Sequence, residues 1–218
     1  MSRMGMMGSG FGKRGASVGA GGSPPSAKTY TFRGSGSSTA GGSVATFSID
    51  IGTASADRVV IAKSTVDTAT TITSVVVNGV TLNPDVTAVN TYRVGIHSGL
   101  VTTGDGAQNV VITWASASFQ EKNAFVFTAT GLSSNTVKQT ANGVTSANIN
   151  VTAGDFLFGV ARNVAGFPDF ATSTEAPDAT RQVGADNTSA DWTVDTTNAA
   201  FSVNAGASSN QMVAASYS

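Results

Sequence analysis

Between Thr73 and Leu82 the chain reads Thr-Ser-Val-Val-Val-Asn-Gly-Val-Thr-Leu, and no other stretch constrains the fold as tightly. Asn-Gly between two β-branched runs suits a two-residue turn of type I′, in which both central residues need positive φ. The segment therefore predicts an antiparallel hairpin. Weaker forms of the pattern recur along the chain. Val44–Ile51 alternates, with Phe47, Ile49 and Ile51 on one face and Thr46, Ser48 and Asp50 on the other. Arg58–Lys63 is a fuller apolar run, suited to a central strand. Further strand candidates are 30–32, 92–96, 109–114, 123–130, 136–140, 147–151, 156–162, 192–195, 200–203 and 211–216. Spacing of about ten to fifteen residues matches a sandwich or jelly roll. No segment offers a helical period of useful length. Residues 163–190 carry Pro168 and Pro177, lack alternation and read as a long surface excursion.

Composition narrows the chemistry. The 218 residues include no cysteine, which excludes disulfides, thiolate metal sites and cysteine nucleophiles. Charged residues make up 11% of the chain, against roughly 25% in ordinary soluble domains. Thr and Val, stiff at χ1, suit a pleated surface, and Gly, Asn and Asp supply its turns. No apolar run approaches the roughly 18 residues of a membrane span. Glycines separate Met4, Met6 and Met7 from anything apolar, so no signal-peptide core forms. The expectation is a protein made in the cytoplasm that stays there or leaves inside a particle released by lysis.

Charge divides the chain in two. Residues 1–28 hold Arg3, Lys13, Arg14 and Lys28 and no acid, a net +4, while the remaining 8 basic and 13 acidic residues leave −5. The same leader contains eight glycines and ends in Ser23-Pro24-Pro25-Ser26. It cannot bury enough apolar surface to offset its own ordering entropy. A cationic, adaptable arm on an anionic body is a plan for docking on a partner. The candidate docking residues are Met4, Met6, Met7, Phe11, Lys13 and Arg14.

Several motifs are compositional accidents. Gly10–Gly15 spells G-x-G-x-x-G without the preceding strand, following helix and later acid that dinucleotide binding requires. Gly15–Gly19 spells a nucleophile elbow without its strand-to-helix turn. His97 is the one histidine, and it reads as an exposed or turn-adjacent side chain, not a catalytic base. Asp178, Asp186, Asp191 and Asp195 do not follow a calcium-loop spacing and read as turn caps. The sequence thus points to no catalytic residue, no metal and no cofactor. Phe47, Trp114, Phe125, Phe127, Phe156 and Phe158 are core candidates. Phe167, Phe170 and Trp192, in or beside the irregular stretch, are candidates for a surface contact with a subunit or a glycan.

These features resemble a β-sandwich module of tailed-bacteriophage virion proteins. The likeness lies in the leader Met4–Gly12, the block Asp57–Ile61, the hairpin Ser74–Leu82, and the blocks Gly106–Trp114 and Asn148–Phe156. It implies a non-enzymatic fibre, spike, decoration or tail-associated protein, found in the virion and homo-oligomeric. No nucleic-acid partner is expected. The fold expectation is all-β: a single antiparallel, jelly-roll-like β-sandwich over 29–218, behind the extended Gly-rich arm 1–28. Gly131–Ser134 offers a sub-boundary near 131–135. The first reading of function is a virion structural protein anchored to other virion proteins through the arm. The alternative is a receptor- or glycan-binding tail adhesin.

Overall fold

The computed structural model describes residues 27–116, 121–163, 166–184, 186–206 and 209–218. The arm residues Met4, Met6, Met7, Phe11, Lys13 and Arg14 lie outside the described residues. Every regular element described is a strand, and every pairing is antiparallel. The first nine strands are β1 (Thr29–Ser38), β2 (Val44–Asp50), β3 (Val59–Val66), β4 (Ile72–Val77), β5 (Val80–Thr81), β6 (Asn83–Val89), β7 (Arg93–Leu100), β8 (Ala107–Trp114) and β9 (Lys122–Thr130). They form a five-stranded sheet, β1-β9-β3-β7-β6, and a four-stranded sheet, β2-β8-β4-β5. The chain passes back and forth between the two sheets, the winding of a jelly roll.

Residues 131–218 repeat this plan with fewer strands. They supply β10 (Gln139–Gly143), β11 (Ser146–Val151), β12 (Phe156–Asn163), β13 (Ala179–Val183), β14 (Asn187–Thr193), β15 (Asn198–Asn204) and β16 (Ser209–Tyr217). The order β10-β16-β12-β14-β13 mirrors β1-β9-β3-β7-β6 position for position, and β11-β15 mirrors β2-β8. The irregular segment 166–178 stands where β4 and β5 stand in the first half.

The four sheets stack as layers with three cores between them. Alternation along β3 shows why. Val60, Ala62 and Val66 enter an outer core with Phe47, Ile49, Val75, Ile112 and Trp114. Val59 and Ile61 point the other way, to an inner layer with Phe127, Phe156, Phe158, Val213 and Tyr217. β12 alternates likewise, sending Leu157 and Ala161 into a second outer core with Trp192, Phe201 and Met212. A strand buried on both faces shows no polar alternation, and β3, β9 and β12 are buried almost throughout.

The antiparallel all-β expectation holds. The predicted type I′ turn is present, with φ of 49° at Asn78 and 77° at Gly79. Two strand assignments differ from expectation. β6 begins Asn83-Pro84, a poor strand signal, but it is the edge of its sheet and a bulge follows Pro84, so the missing N–H is tolerated. Residues 163–190, expected to be a surface excursion, contain β13 and part of β14. β14 reads Asn-Thr-Ser-Ala-Asp-Trp-Thr because its inward side chains are polar groups with buried partners.

Candidate functional site

Three polar features stand out on this frame: a cleft at one end, an ionic group inside the inner layer, and an acidic rim at the other end.

The cleft, about 550 Å³, lies where β1 begins and β9 hands over to the second half, and its walls include Lys28, Leu132, Lys138, Thr152 and Asp155. Lys28 Nζ donates to the Gly154 carbonyl at 2.6 Å. Lys138 Nζ donates to Asp155 Oδ2 at 2.6 Å and to Thr152 Oγ1 at 2.7 Å. The described chain therefore enters β1 at this end. Asp155 directly precedes β12, and the matching place before β3 holds Arg58. Arg58 is 1% exposed, and its guanidinium donates to the carbonyls of Ile51, Gly52, Val101, Thr103 and Gly104. One half ties its loops with a buried cation, the other with a buried anion.

In the inner layer Lys63 is fully buried. Its Nζ donates to Ser189 Oγ and the Ala190 carbonyl at 2.8 Å and to the Gly159 carbonyl at 3.2 Å. It lies 4.2 Å from the Phe127 ring centroid and 4.9 Å from that of Phe158. Burial pushes its pKa well down, while the charge of Asp191 acts against that. Asp191 is bound by Arg181, which stacks 4.3 Å over Phe32. Tyr30 packs edge-on to Phe158 and donates to Asp178 at 2.9 Å.

At the opposite end Arg162, 1% exposed, projects from β12. Its Nη2 contacts Asp67 Oδ1 and lies 3.9 Å from Glu121 Oε2 and 3.8 Å from Asp186 Oδ2. Nη1 donates to Asn187 Oδ1 at 3.1 Å, and the guanidinium lies 5.0 Å from the Tyr92 ring centroid. Burial raises the Asp67 pKa, Arg162 pulls it back, and Glu121 and Asp186 push it up again.

The aromatic candidates separate. Phe170 and Trp192 are 0% and 1% exposed, with rings edge-to-face at 5.7 Å. The Trp192 indole N–H donates to the Glu175 carbonyl at 3.1 Å. Both fill the outer core where the first half has β4, so neither is a surface contact. Phe167 remains 38% exposed. His97 is also corrected: it sits inside β7, 2% exposed, and burial lowers its pKa to about 4. The four aspartates considered for calcium are dispersed. Asp178 accepts from Tyr30 and the Thr193 amide, Asp186 from the Gly166 amide, and Asp191 from Arg181, while Asp195 lies in the loop after β14. Among the described residues no three acidic or histidine side chains are set to hold a metal ion, and no helix is long and apolar enough to cross a membrane.

No hint of Lys63, Arg58 or Arg162 as buried cations came from the sequence. Their partners lie in loops and other strands distant in sequence, up to 127 residues away for Lys63. Compared with protein-family models, curated proteins and solved structures, the chain matches none.

Proposed function

We propose that the protein is a non-enzymatic virion structural protein of a tailed bacteriophage, held in the particle by residues 1–28 with the stacked sheets exposed as a fibre, spike or decoration element. Made in the host cytoplasm, it joins other virion proteins through the arm and associates with its own copies. The observation that carries this reading is where the body begins. β1, which follows the basic, glycine-rich segment in sequence, starts beside a cleft at one end of a body whose four sheets are packed through three cores. Jelly-roll sheets are a recurrent architecture of viral particle proteins. Glycines let such an arm follow a groove on its partner, and Phe11 and the methionines fill small pockets there.

Deleting residues 2–27 tests the reading. The truncated protein should keep its melting temperature and be missing from purified particles. Normal incorporation of the truncated protein overturns it.

A further inference from the structure

The sheet edges of the molecule are not protected alike. An edge strand offers unpaired N–H and C=O groups to other chains, and proteins blunt such edges with prolines, bulges, inward charges or short strands. β6 has Pro84 and a bulge after it. β1 has a bulge between Phe32 and Gly34, and β11 has one between Ile149 and Val151. β10 and β13 are five residues long, and β13 also carries Arg181, turned inward over Phe32. The outer side of β15 is taken by the chain at Thr174, whose amide donates to the Ser202 carbonyl at 2.9 Å.

β2 has none of these devices. It is the edge of its sheet and pairs with β8 over seven residues without a break. The bonds at its two ends show which groups point outward. The Ser43 carbonyl accepts from the Trp114 amide at 2.7 Å, and the Ile51 amide donates to the Gly106 carbonyl at 2.9 Å. Bonding in an antiparallel pair repeats every second residue, so Ser43, Ala45, Phe47, Ile49 and Ile51 bond toward β8. Val44, Thr46, Ser48 and Asp50 turn their N–H and C=O groups to the open side, where none of the described residues bonds to them. On the core face Ala45, Phe47 and Ile49 keep 5%, 7% and 5% exposure, while Val75, Val110 and Ile112 of the same core keep 0%.

The strand is complementary to itself. Set antiparallel to a second β2 about a two-fold axis at Phe47, every outward residue finds a partner: Thr46 meets Ser48, and Val44 meets Asp50. Each of these pairs exchanges two N–H···O bonds. Sliding by two residues loses a pair, and sliding by one turns core side chains to the open face. In the full register Phe47 meets its twin and Ala45 meets Ile49, so the apolar layer continues across the axis. Thr opposite Ser is a favourable cross-strand pair. Asp50 is the single charged residue of β2, β8, β4 and β5. Its two copies would stand about 20 Å apart at about 3.3 Å per residue, beyond the screening length of about 8 Å.

We propose that β2 is the edge through which two copies of this chain associate, in the order β5-β4-β8-β2-β2-β8-β4-β5, one sheet running through both. It deepens the reading that the protein associates with its own copies and rests on it, without drawing on the arm.

The test is sedimentation of the full chain over a range of concentrations. The wild type should form a species of two or more copies. Thr46→Lys/Ser48→Lys sets ammonium against ammonium at both sides of the axis and should weaken association about a hundredfold, with the melting temperature unchanged. Thr46→Lys/Ser48→Glu sets opposite charges across the axis and should associate as well as the wild type. The native chain has no cysteine, so mild oxidation of mixed Thr46→Cys and Ser48→Cys copies should link them faster than either variant alone. This linkage decides the matter should the double-lysine variant melt early. A monomeric wild type overturns both this interface and the reading of self-association. Association that survives the double-lysine variant, or cysteines that do not link, overturns the interface alone. Loss in the Lys/Glu variant as well overturns the register. Deletion of residues 2–27 should leave association unchanged, so the docking reading is tested apart.

Discussion

The two outer cores and the inner layer are built with different chemistry. The outer cores are mainly apolar: Trp114 with Phe47, Val75 and Ile112 in one, where the buried Lys122 ammonium lies 5.9 Å from the Trp114 ring centroid, and Trp192 with Phe170 and Phe201 in the other. The inner layer mixes Phe127, Phe158 and Tyr217 with Lys63, Arg181, Asp191, Asn123, Asn187 and Arg162. Apolar packing in the outer cores supplies stabilisation that is insensitive to direction. In the inner layer, Lys63 of one sheet must meet acceptors on β12 and β14 of the other, and Arg162 of that other sheet must meet Asp67 and Glu121 beside β3 and β9. Such contacts add little net stability, because desolvation offsets the attraction. They do fix how one half sits on the other: a shift of one residue would strand a buried ammonium.

The largest test of this contrast is Trp192→Ala. Emptying the outer core beside Phe170 and Phe201 should cost about 3–5 kcal/mol in denaturant unfolding. A cost near zero would mean that the second half does not rely on its apolar outer core. Next is His97, held neutral by burial, with a folded pKa of about 4 against roughly 6.5 when unfolded. Between these values the unfolded chain binds more protons. Stability is therefore full above about pH 6.5 and declines as pH falls toward 4, by up to about 3 kcal/mol. His97→Leu should remove that part of the slope relative to wild type, as measured by unfolding across pH.

Arg162→Ala should cost about 2–3 kcal/mol, less than a fully buried pair because its acids are partly wetted. The loss should shrink in acid, where the stranded carboxylates protonate. The smallest effect is expected for Lys63→Met, neutral or stabilising by about 1 kcal/mol, because an apolar isostere escapes the desolvation cost. A loss above about 2 kcal/mol would show that the inner layer depends on its charge for strength as well as register.

What the sequence reveals follows the same divide. β2 and the Asn78-Gly79 hairpin are legible because their partners are close neighbours or bulk apolar core, and local pattern is enough. β14 is not, because Ser189 and Asp191 look like solvated turn residues until Lys63 and Arg181 are placed against them. Trp192 was misjudged for a related reason. Its neighbours Asp191 and Thr193 suggest a surface, while its face is set by a sheet whose other strands lie elsewhere in the chain. The rim was hidden as well, since Asp67, Glu121 and Asp186 come from three separate loops. The repetition of one strand order in both halves is visible only in topology, because the second half replaces β4 and β5 with irregular chain around Phe170.

Lys63 also matters before the fold is complete. At about 5–20 residues per second, the last 88 residues take some 4–18 seconds to emerge after Thr130. During that interval β3 and β9 present Ile61, Phe125 and Phe127 without the sheet that will cover them. An ammonium at the centre of this face acts as a gatekeeper against sticking to other nascent chains. Its pKa falls only when β12 and β14 arrive, so the protection is present while the face is open and withdrawn as it closes.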